Sequence, residues 1–327
     1  MSKRNPYYQG PPSDHFDGVR FFNPGEPATD RSLMDVLRWR RTSRRAHWPA
    51  RVPVTPTIPD KRVDGIRVTM VGHATLLIQQ SGLNILTDPV WSDRASPLSF
   101  AGPKRVTAPG IDLDSLPPID AILLSHNHYD HLDMATLATL CRKHDPLVVT
   151  PLGNDTIIRR HIPGARISAG DWGDECTILS GASVHIVPAL HWSSRTMRDR
   201  RMALWGGFVI HAGGSQVYFA GDTGYGTGKI FRDIRGRFGP IDCALIPIGA
   251  YEPRWFMSAQ HVDPDEAIQI MRDLDAAQAG GIHWGTFALT DEPWAEPAER
   301  LSAGLRREGI DPHRFRPLKP GDVLATE

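Results

Sequence analysis

The run Ser125-His126-Asn127-His128-Tyr129-Asp130-His131-Leu132-Asp133 follows directly on the apolar segment Ala121–Leu124, and no other feature restricts this chain so tightly. His126, His128, Asp130 and His131 place four metal-competent side chains within six positions at the end of a strand. So many imidazoles and carboxylates have no place together in an apolar core. Neutral imidazole and carboxylate are donors that zinc, iron and manganese accept, and a loop leaving a strand can turn successive side chains toward one point. The segment therefore reads as half of a metal centre. Its rival, a solvated His-rich loop, fits poorly after a buried strand.

Three further donors stand where apolar runs end: His191 after Val184–Leu190, Asp222 after Val217–Gly221, and His283 after Gly280–Ile282. Each alone is weak, because a single histidine at a strand end is more often a hydrogen-bonded structural residue, and an aspartate there commonly caps a turn. With the His-rich loop they complete two sites. His126, His128 and His191 would hold one metal, Asp130, His131 and His283 the other, and Asp222 would bridge them. Three protein donors plus a bridge leave room for water, which is the open coordination of a catalytic site.

Composition serves mainly to exclude. Thirty-seven basic and 37 acidic side chains among 327 residues cancel to zero net charge, which argues against a surface built to attract nucleic acid. Cys141, Cys176 and Cys243 are isolated, so neither a disulfide framework nor a thiolate zinc site is indicated. The amino terminus lacks an apolar core of signal type, and no stretch reaches 18 uninterrupted apolar residues. The expected compartment is the cytoplasm, with attachment at the inner membrane surface as the alternative.

The chain divides at a change of pattern. Residues 1–62 read as an irregular arm with one short basic amphipathic helix, opened by Ser32 with Asp35 as an acidic capping partner. Residues 63–327 read as the catalytic domain. Strands are expected at Ile66–Met70, Ala74–Ile78, Leu83–Leu86 and Ala121–Leu124, and helices at Met134–Arg142 and Ala267–Ala277. The second half echoes the first. Val217–Ala220 leads to Asp222 as Asn84–Thr87 leads to Asp88, and Gly239-Pro240-Ile241-Asp242 precedes Cys243–Ile248 as Pro117-Pro118-Ile119-Asp120 precedes Ala121–Leu124. Two related β-rich halves carrying helices imply an internally duplicated sandwich.

The HxHxDH run with later His, Asp and His resembles the ligand set of the metallo-β-lactamase-fold hydrolases, whose α/β architecture is an αββα sandwich of two related halves. Gly72-His73-Ala74-Thr75, Leu86-Thr87-Asp88-Pro89, Gly102-Pro103-Lys104-Arg105, Gly221-Asp222-Thr223-Gly224-Tyr225, Ile248-Gly249-Ala250-Tyr251-Glu252-Pro253-Arg254-Trp255-Phe256 and Ile282-His283-Trp284-Gly285-Thr286-Phe287 narrow the likeness. They resemble the branch of phospholipases D that hydrolyse N-acylphosphatidylethanolamine. The resemblance runs from Ile66 to Leu318. It implies two zinc ions, Asp130, Asp222 and His261 as the catalytic set, and Gln260, His261 and Tyr251 on the substrate side.

Two metals about 3.5–4 Å apart can share a hydroxide that attacks phosphorus in line with the departing alkoxide. The expected reaction releases an N-acylethanolamine and a phosphatidic acid. The partner is a phospholipid or other phosphodiester and not nucleic acid, and homodimer formation is left open. The alternative is a hydrolase of the same fold acting on a lactone or a soluble phosphodiester. A non-catalytic metal- or nucleotide-binding protein is a further reading, against which the complete donor set argues. Asp88 is either an acceptor for the free ring nitrogens of His126 and His128 or a turn residue before Pro89. The leaving oxygen takes its proton from metal-bound water or from His261. Gly221–Lys229 imitates a phosphate loop but lacks the required spacing and the hydroxyl residue after Lys229. The Arg- and Trp-rich segment 38–51 reads as a solvated helix face or, second, as a membrane-surface element. Arg195, Arg198, Arg200 and Arg201 either line the mouth of the site or form a solvated loop.

Overall fold

The structure, a computed structural model, describes residues 4–26, 29–179 and 181–326. Among these residues fourteen strands alternate with seven α-helices. Strands β1 (Ile66–Gly72), β2 (Thr75–Gln80) and β3 (Leu83–Thr87) form a meander, followed by β4 (Ala121–Leu123), β5 (Leu147–Pro151) and β6 (Ile167–Gly170). Then come β7 (Glu175–Leu179), β8 (Ala182–Val187), β9 (Gly207–Ala212), β10 (Ser215–Phe219), β11 (Cys243–Pro247), β12 (Gln278–Ile282), β13 (Phe315–Pro317) and β14 (Val323–Thr326). The helices are α1 (Leu33–Thr42), α2 (Met134–His144), α3 (Asn154–His161), α4 (Lys229–Phe238), α5 (Arg254–Met257), α6 (Pro264–Asp273) and α7 (Glu296–Arg307).

The strands make two seven-stranded sheets, ordered β14-β1-β2-β3-β4-β5-β6 and β13-β12-β11-β10-β9-β8-β7. Reading the second from β7 gives the same succession of pairings as the first from β14: three antiparallel, then three parallel. The duplicated outline expected from the sequence is thus β3 and β4 against β10 and β11. Small details repeat as well. Asp120 accepts from the Asn84 amide at 2.8 Å, and Asp242 accepts from the Gln216 amide at 2.7 Å, each pinning the start of a central strand.

Apolar side chains fill three layers. Between the sheets lie Val68, Leu76, Ile78 and Ile85 against Val184, Phe208, Ile210 and Phe219. Outside the second sheet, Phe231, Ile268, Met271 and Leu301 seat α4, α6 and α7, while Leu137, Leu140 and Ile158 seat α2 and α3 on the first. The fold is an α/β sandwich of the αββα kind. Strands buried on both faces read as continuous apolar runs, which is why the central ones were legible. Helix α6 begins three residues before its expected start. Asp263 caps it by accepting from the Glu266 amide at 2.9 Å, Glu266 reaches back to the Asp263 amide, and Pro264 stands at its first turn. The arm is bound to the body: Phe16 and Phe21 are buried with Ala189, Leu204 and Trp205.

Strand direction collects the functional loops. Within the first sheet β1, β3 and β4 run the same way, and within the second β8, β10, β11 and β12 do. Their carboxyl ends carry His73, Asp88, the Ser125–His131 loop, His191, Asp222 and His283.

Candidate metal centre

The loop after β4 tightens at once: the amides of His131 and Leu132 both donate to the His128 carbonyl, and Asp133 then caps α2. Its back is held by Arg195, whose guanidinium donates to the carbonyls of Asn127 and Leu132, both at 2.9 Å. This winding points His126, His128, Asp130 and His131 inward. His126 Nε2 lies 2.9 Å from His128 Nδ1, which lies 3.2 Å from His191 Nε2. On the other side, His131 Nε2 stands 3.2 Å from His283 Nε2, with Asp130 Oδ2 at 3.6 and 3.5 Å from the two. Asp222 sits between these groups. Its carboxylate is 3.2 Å from His131 and 3.1 Å from His283, and 3.7 and 4.0 Å from His191 and His126. All seven metal-binding candidates converge on one cluster. Gly221 permits the approach: at φ +61, a Cβ there would fall 2.7 Å from Ser125 Cβ.

Facing imidazole nitrogens at 2.9 to 3.2 Å share at most one proton between two lone pairs, and no protein group lies between them. A cation satisfies both, so the donor set suits a metal. Burial and neighbouring imidazoles push His126 well below its ordinary value, and burial does the same to His191. Burial also opposes charge on His131, yet Asp222, Asp130 and Asp88 outweigh it and push that imidazole well above its usual range. For His283 the same balance, with Asp222 and Asp130 against burial, gives about 9. Burial favours the neutral forms of Asp130 and Asp222, but His131 and its neighbours hold both carboxyls well below the ordinary carboxylate value. These two buried anions attract positive charge.

Asp88 holds a different histidine from the one expected. Its Oδ2 accepts from His131 Nδ1 at 2.6 Å and from the Ser125 hydroxyl at 2.6 Å, while its Oδ1 accepts from the Ser125 amide at 2.7 Å. Ser125 Oγ in turn lies 2.9 Å from His126 Nδ1. Asp88 thus reaches His126 only through Ser125 and does not touch His128, whose Nε2 has no partner among the described residues. His191 Nδ1 donates to the Gln260 carbonyl at 3.0 Å. Such partners fix the tautomer that leaves the other nitrogen free to bind.

The expected substrate residues separate. His261 borders the cluster, with Nδ1 unpaired and 4.0 Å from Asp222; burial keeps its imidazole at about 4. Gln260 contributes its backbone, and its buried Oε1 is unpaired. Tyr251 corrects the expectation. It is wholly buried and its hydroxyl donates to Glu296 at 2.7 Å, so it supports the loop after β11 and presents no surface to a substrate. Of the arginine cluster, Arg195 braces the His-rich loop, and Arg200 and Arg201 pair with Asp30 at 2.7 Å. Only Arg198 among them is exposed.

Sequence reading missed His73, Ser125 and Glu292. His73 ends β1 as the other donors end their strands, and its Nε2 lies 3.0 Å from Asp130 Oδ2. Glu292 is buried and accepts from the amides of Ala250 and Glu252 at 2.7 and 3.1 Å. Ala250, His73 and His283 all hold left-handed backbone, at φ 62, 58 and 60. Non-glycine residues keep that conformation only where their surroundings over-determine it.

A family model described as a beta-lactamase superfamily domain matches residues 83–284. The chain is 37% identical over 269 residues to N-acyl-phosphatidylethanolamine-hydrolyzing phospholipase D 1 of Caenorhabditis elegans, spanning 79% of this chain and 75% of that protein. It is 34% identical over 317 residues to an uncharacterized protein of Mycobacterium tuberculosis, spanning 95% and 82%. Among solved structures, an isothiocyanate hydrolase from Delia radicum gut bacteria superposes with a TM-score of 0.63 at 22% identity, spanning 80% and 99% of the two chains.

Proposed function

Because the chain belongs to the beta-lactamase superfamily and is a metal-dependent hydrolase, we propose that it is a binuclear zinc phosphodiesterase of phospholipase D type. Its substrate in this reading is an N-acylphosphatidylethanolamine or a close relative. The observation that carries the binuclear part is the position of Asp222, within 3.1 to 4.0 Å of imidazoles in both clusters. The lipid part is supported by the nematode relative and by the surface beside the site.

His126, His128 and His191 would hold one zinc ion, Asp130, His131 and His283 the second, and Asp222 both. Zinc bound there supplies positive charge for a phosphoryl oxygen and lowers the pKa of water, so that a nucleophile is available near neutral pH. The protein keeps the donors ready. Asp88 and Ser125 fix the tautomers of His131 and His126, and the Gln260 carbonyl fixes that of His191. His261 has an unpaired Nδ1 beside the cluster, where it can donate to a phosphoryl oxygen or to the departing oxygen. Hydrolysis adds water across the phosphorus–oxygen bond: the phosphate monoester keeps the hydroxyl, and the N-acylethanolamine leaves with the proton.

Helix α1 packs on α5, from which the chain runs on to Gln260 and His261. Leu33, Met34 and Leu37 on it are 79, 73 and 50% exposed, and the half-exposed Trp255 stands under the Arg38 guanidinium at 4.5 Å. Trp39 packs on Phe256 at 4.9 Å, five residues before His261. Arg40, Arg41, Arg44 and Arg45 follow. Basic residues around an exposed apolar face suit peripheral contact with an anionic phospholipid surface. The test is an assay of zinc-loaded enzyme on N-acylphosphatidylethanolamine, a lactone and a soluble phosphodiester in parallel. Release of N-acylethanolamine is expected. Turnover of the lactone alone would overturn the phosphodiesterase reading, and turnover of the soluble phosphodiester without the lipid would overturn the lipid reading.

A further inference from the structure

We infer that His73 is an additional protein donor to the metal position formed by Asp130, His131, His283 and Asp222, which makes the two metal positions unequal. One then has five protein donors and the other, built from His126, His128, His191 and Asp222, has four. This rests on the binuclear reading above.

The donor atoms of His73, Asp130, His131 and His283 all lie within 4.8 Å of one another, and His73 is 2% exposed. Two donors on a metal sphere of about 2.1 Å radius stand about 3.0 Å apart at a right angle and about 3.4 Å apart at the tetrahedral angle. The separations here are 3.0 Å from His73 Nε2 to Asp130 Oδ2, then 3.6 and 3.5 Å from that oxygen to His131 and His283, and 3.2 Å between those two. His73 thus stands at donor spacing from Asp130 and within the same group of four donor atoms. It also approaches the same carboxylate oxygen that His131 and His283 face. A residue that only oriented Asp130 would be better placed on the other oxygen, which has no partner from His73.

The backbone shows how the position is held. His73 keeps a left-handed φ of 58, its amide donates to the Thr286 hydroxyl at 3.0 Å, and its carbonyl accepts from the His283 amide at 2.8 Å. His283 has the matching φ of 60, and the two rings stand 3.9 Å apart. One histidine from each sheet is thus locked to the other, with both Nε2 atoms turned to Asp130. Five nitrogen and oxygen donors without sulfur suit a first-row divalent ion of coordination above four.

The test uses cobalt-substituted wild type, His73→Ala and His73→Gln, with metal content measured beside visible absorption. Wild type is expected to hold two ions per chain. His73→Ala should retain one through gel filtration. At saturating cobalt its d–d absorption should intensify, because four-coordinate cobalt absorbs more strongly than five-coordinate, and added imidazole should restore the wild-type spectrum. His73→Gln, which keeps the bulk and a donor oxygen, controls for folding and should fall between the two. Saturated His73 variants with the wild-type spectrum, unmoved by imidazole, would overturn the inference and leave the binuclear reading intact. Fewer than two ions in the wild type would overturn both.

Discussion

Asp88 Oδ2 lies 2.6 Å from both His131 Nδ1 and Ser125 Oγ, so one carboxylate oxygen holds an imidazole of one cluster directly and an imidazole of the other through a hydroxyl. Loss of such an outer partner typically weakens metal affinity by about 10- to 100-fold. Ser125→Ala should therefore weaken one of two zinc-binding steps, and Asp88→Asn should weaken both. Calorimetric titration of zinc into metal-free protein reads the difference; a Ser125→Ala isotherm identical to wild type would remove the relay. At this scale the sequence spoke unevenly. The His126–His131 run was legible because contiguous donors cannot be core. His73 was not, because a lone histidine after Gly72 in an apolar run looks like a turn, and its significance lies in Asp130, 57 residues away.

Elements brace the centre from behind. The loop after β11 is held by Glu292, which is 4% exposed, bonded to the Ala250 and Glu252 amides, and further bonded by the Thr290 hydroxyl at 2.7 and 2.8 Å. Glu292→Ala leaves buried amides unpaired, at about 1–3 kcal/mol for such a group. The urea midpoint should fall with an unchanged slope; an unmoved midpoint would mean that the loop does not need this carboxylate. Helix α1 makes the opposite case, since none of its residues is buried. Replacing Leu33, Met34 and Leu37 together with serine should abolish sedimentation with anionic phospholipid vesicles. Surface changes of this kind stay within about 0.5 kcal/mol each, so the melting temperature should hardly move. Undiminished sedimentation would refute the lipid-facing role. The helix was legible from Ser32 and Asp35, whose capping box forms as read. The duty of Tyr251 was not, because its partner Glu296 lies 45 residues on.

Across the whole molecule, each cluster takes donors from both sheets. His126 and His128 come from the loop after β4, and His191 follows β8. Asp130 and His131 come from that same loop, and His283 follows β12. The parallel strands of two related halves end at one edge, and that edge was foreseeable from the repeated Ile-Asp strand openings, though the sheet partners of β6, β7 and β13 were not. Metal at such a seam ties the halves together, so binding energy becomes folding energy. At free zinc about 1,000-fold above its dissociation constant, each site adds about 4 kcal/mol. Chelation should therefore lower the melting temperature by several degrees and zinc should restore it; equal melting with and without chelator would show that no metal binds the folded chain. The central claim is that two metals share Asp222. Anomalous diffraction from zinc-loaded crystals at the zinc edge tests it most directly. Two peaks about 3.5–4 Å apart, one on either side of the Asp222 carboxylate, are predicted. A single peak, or two with Asp222 touching only one, would contradict the account.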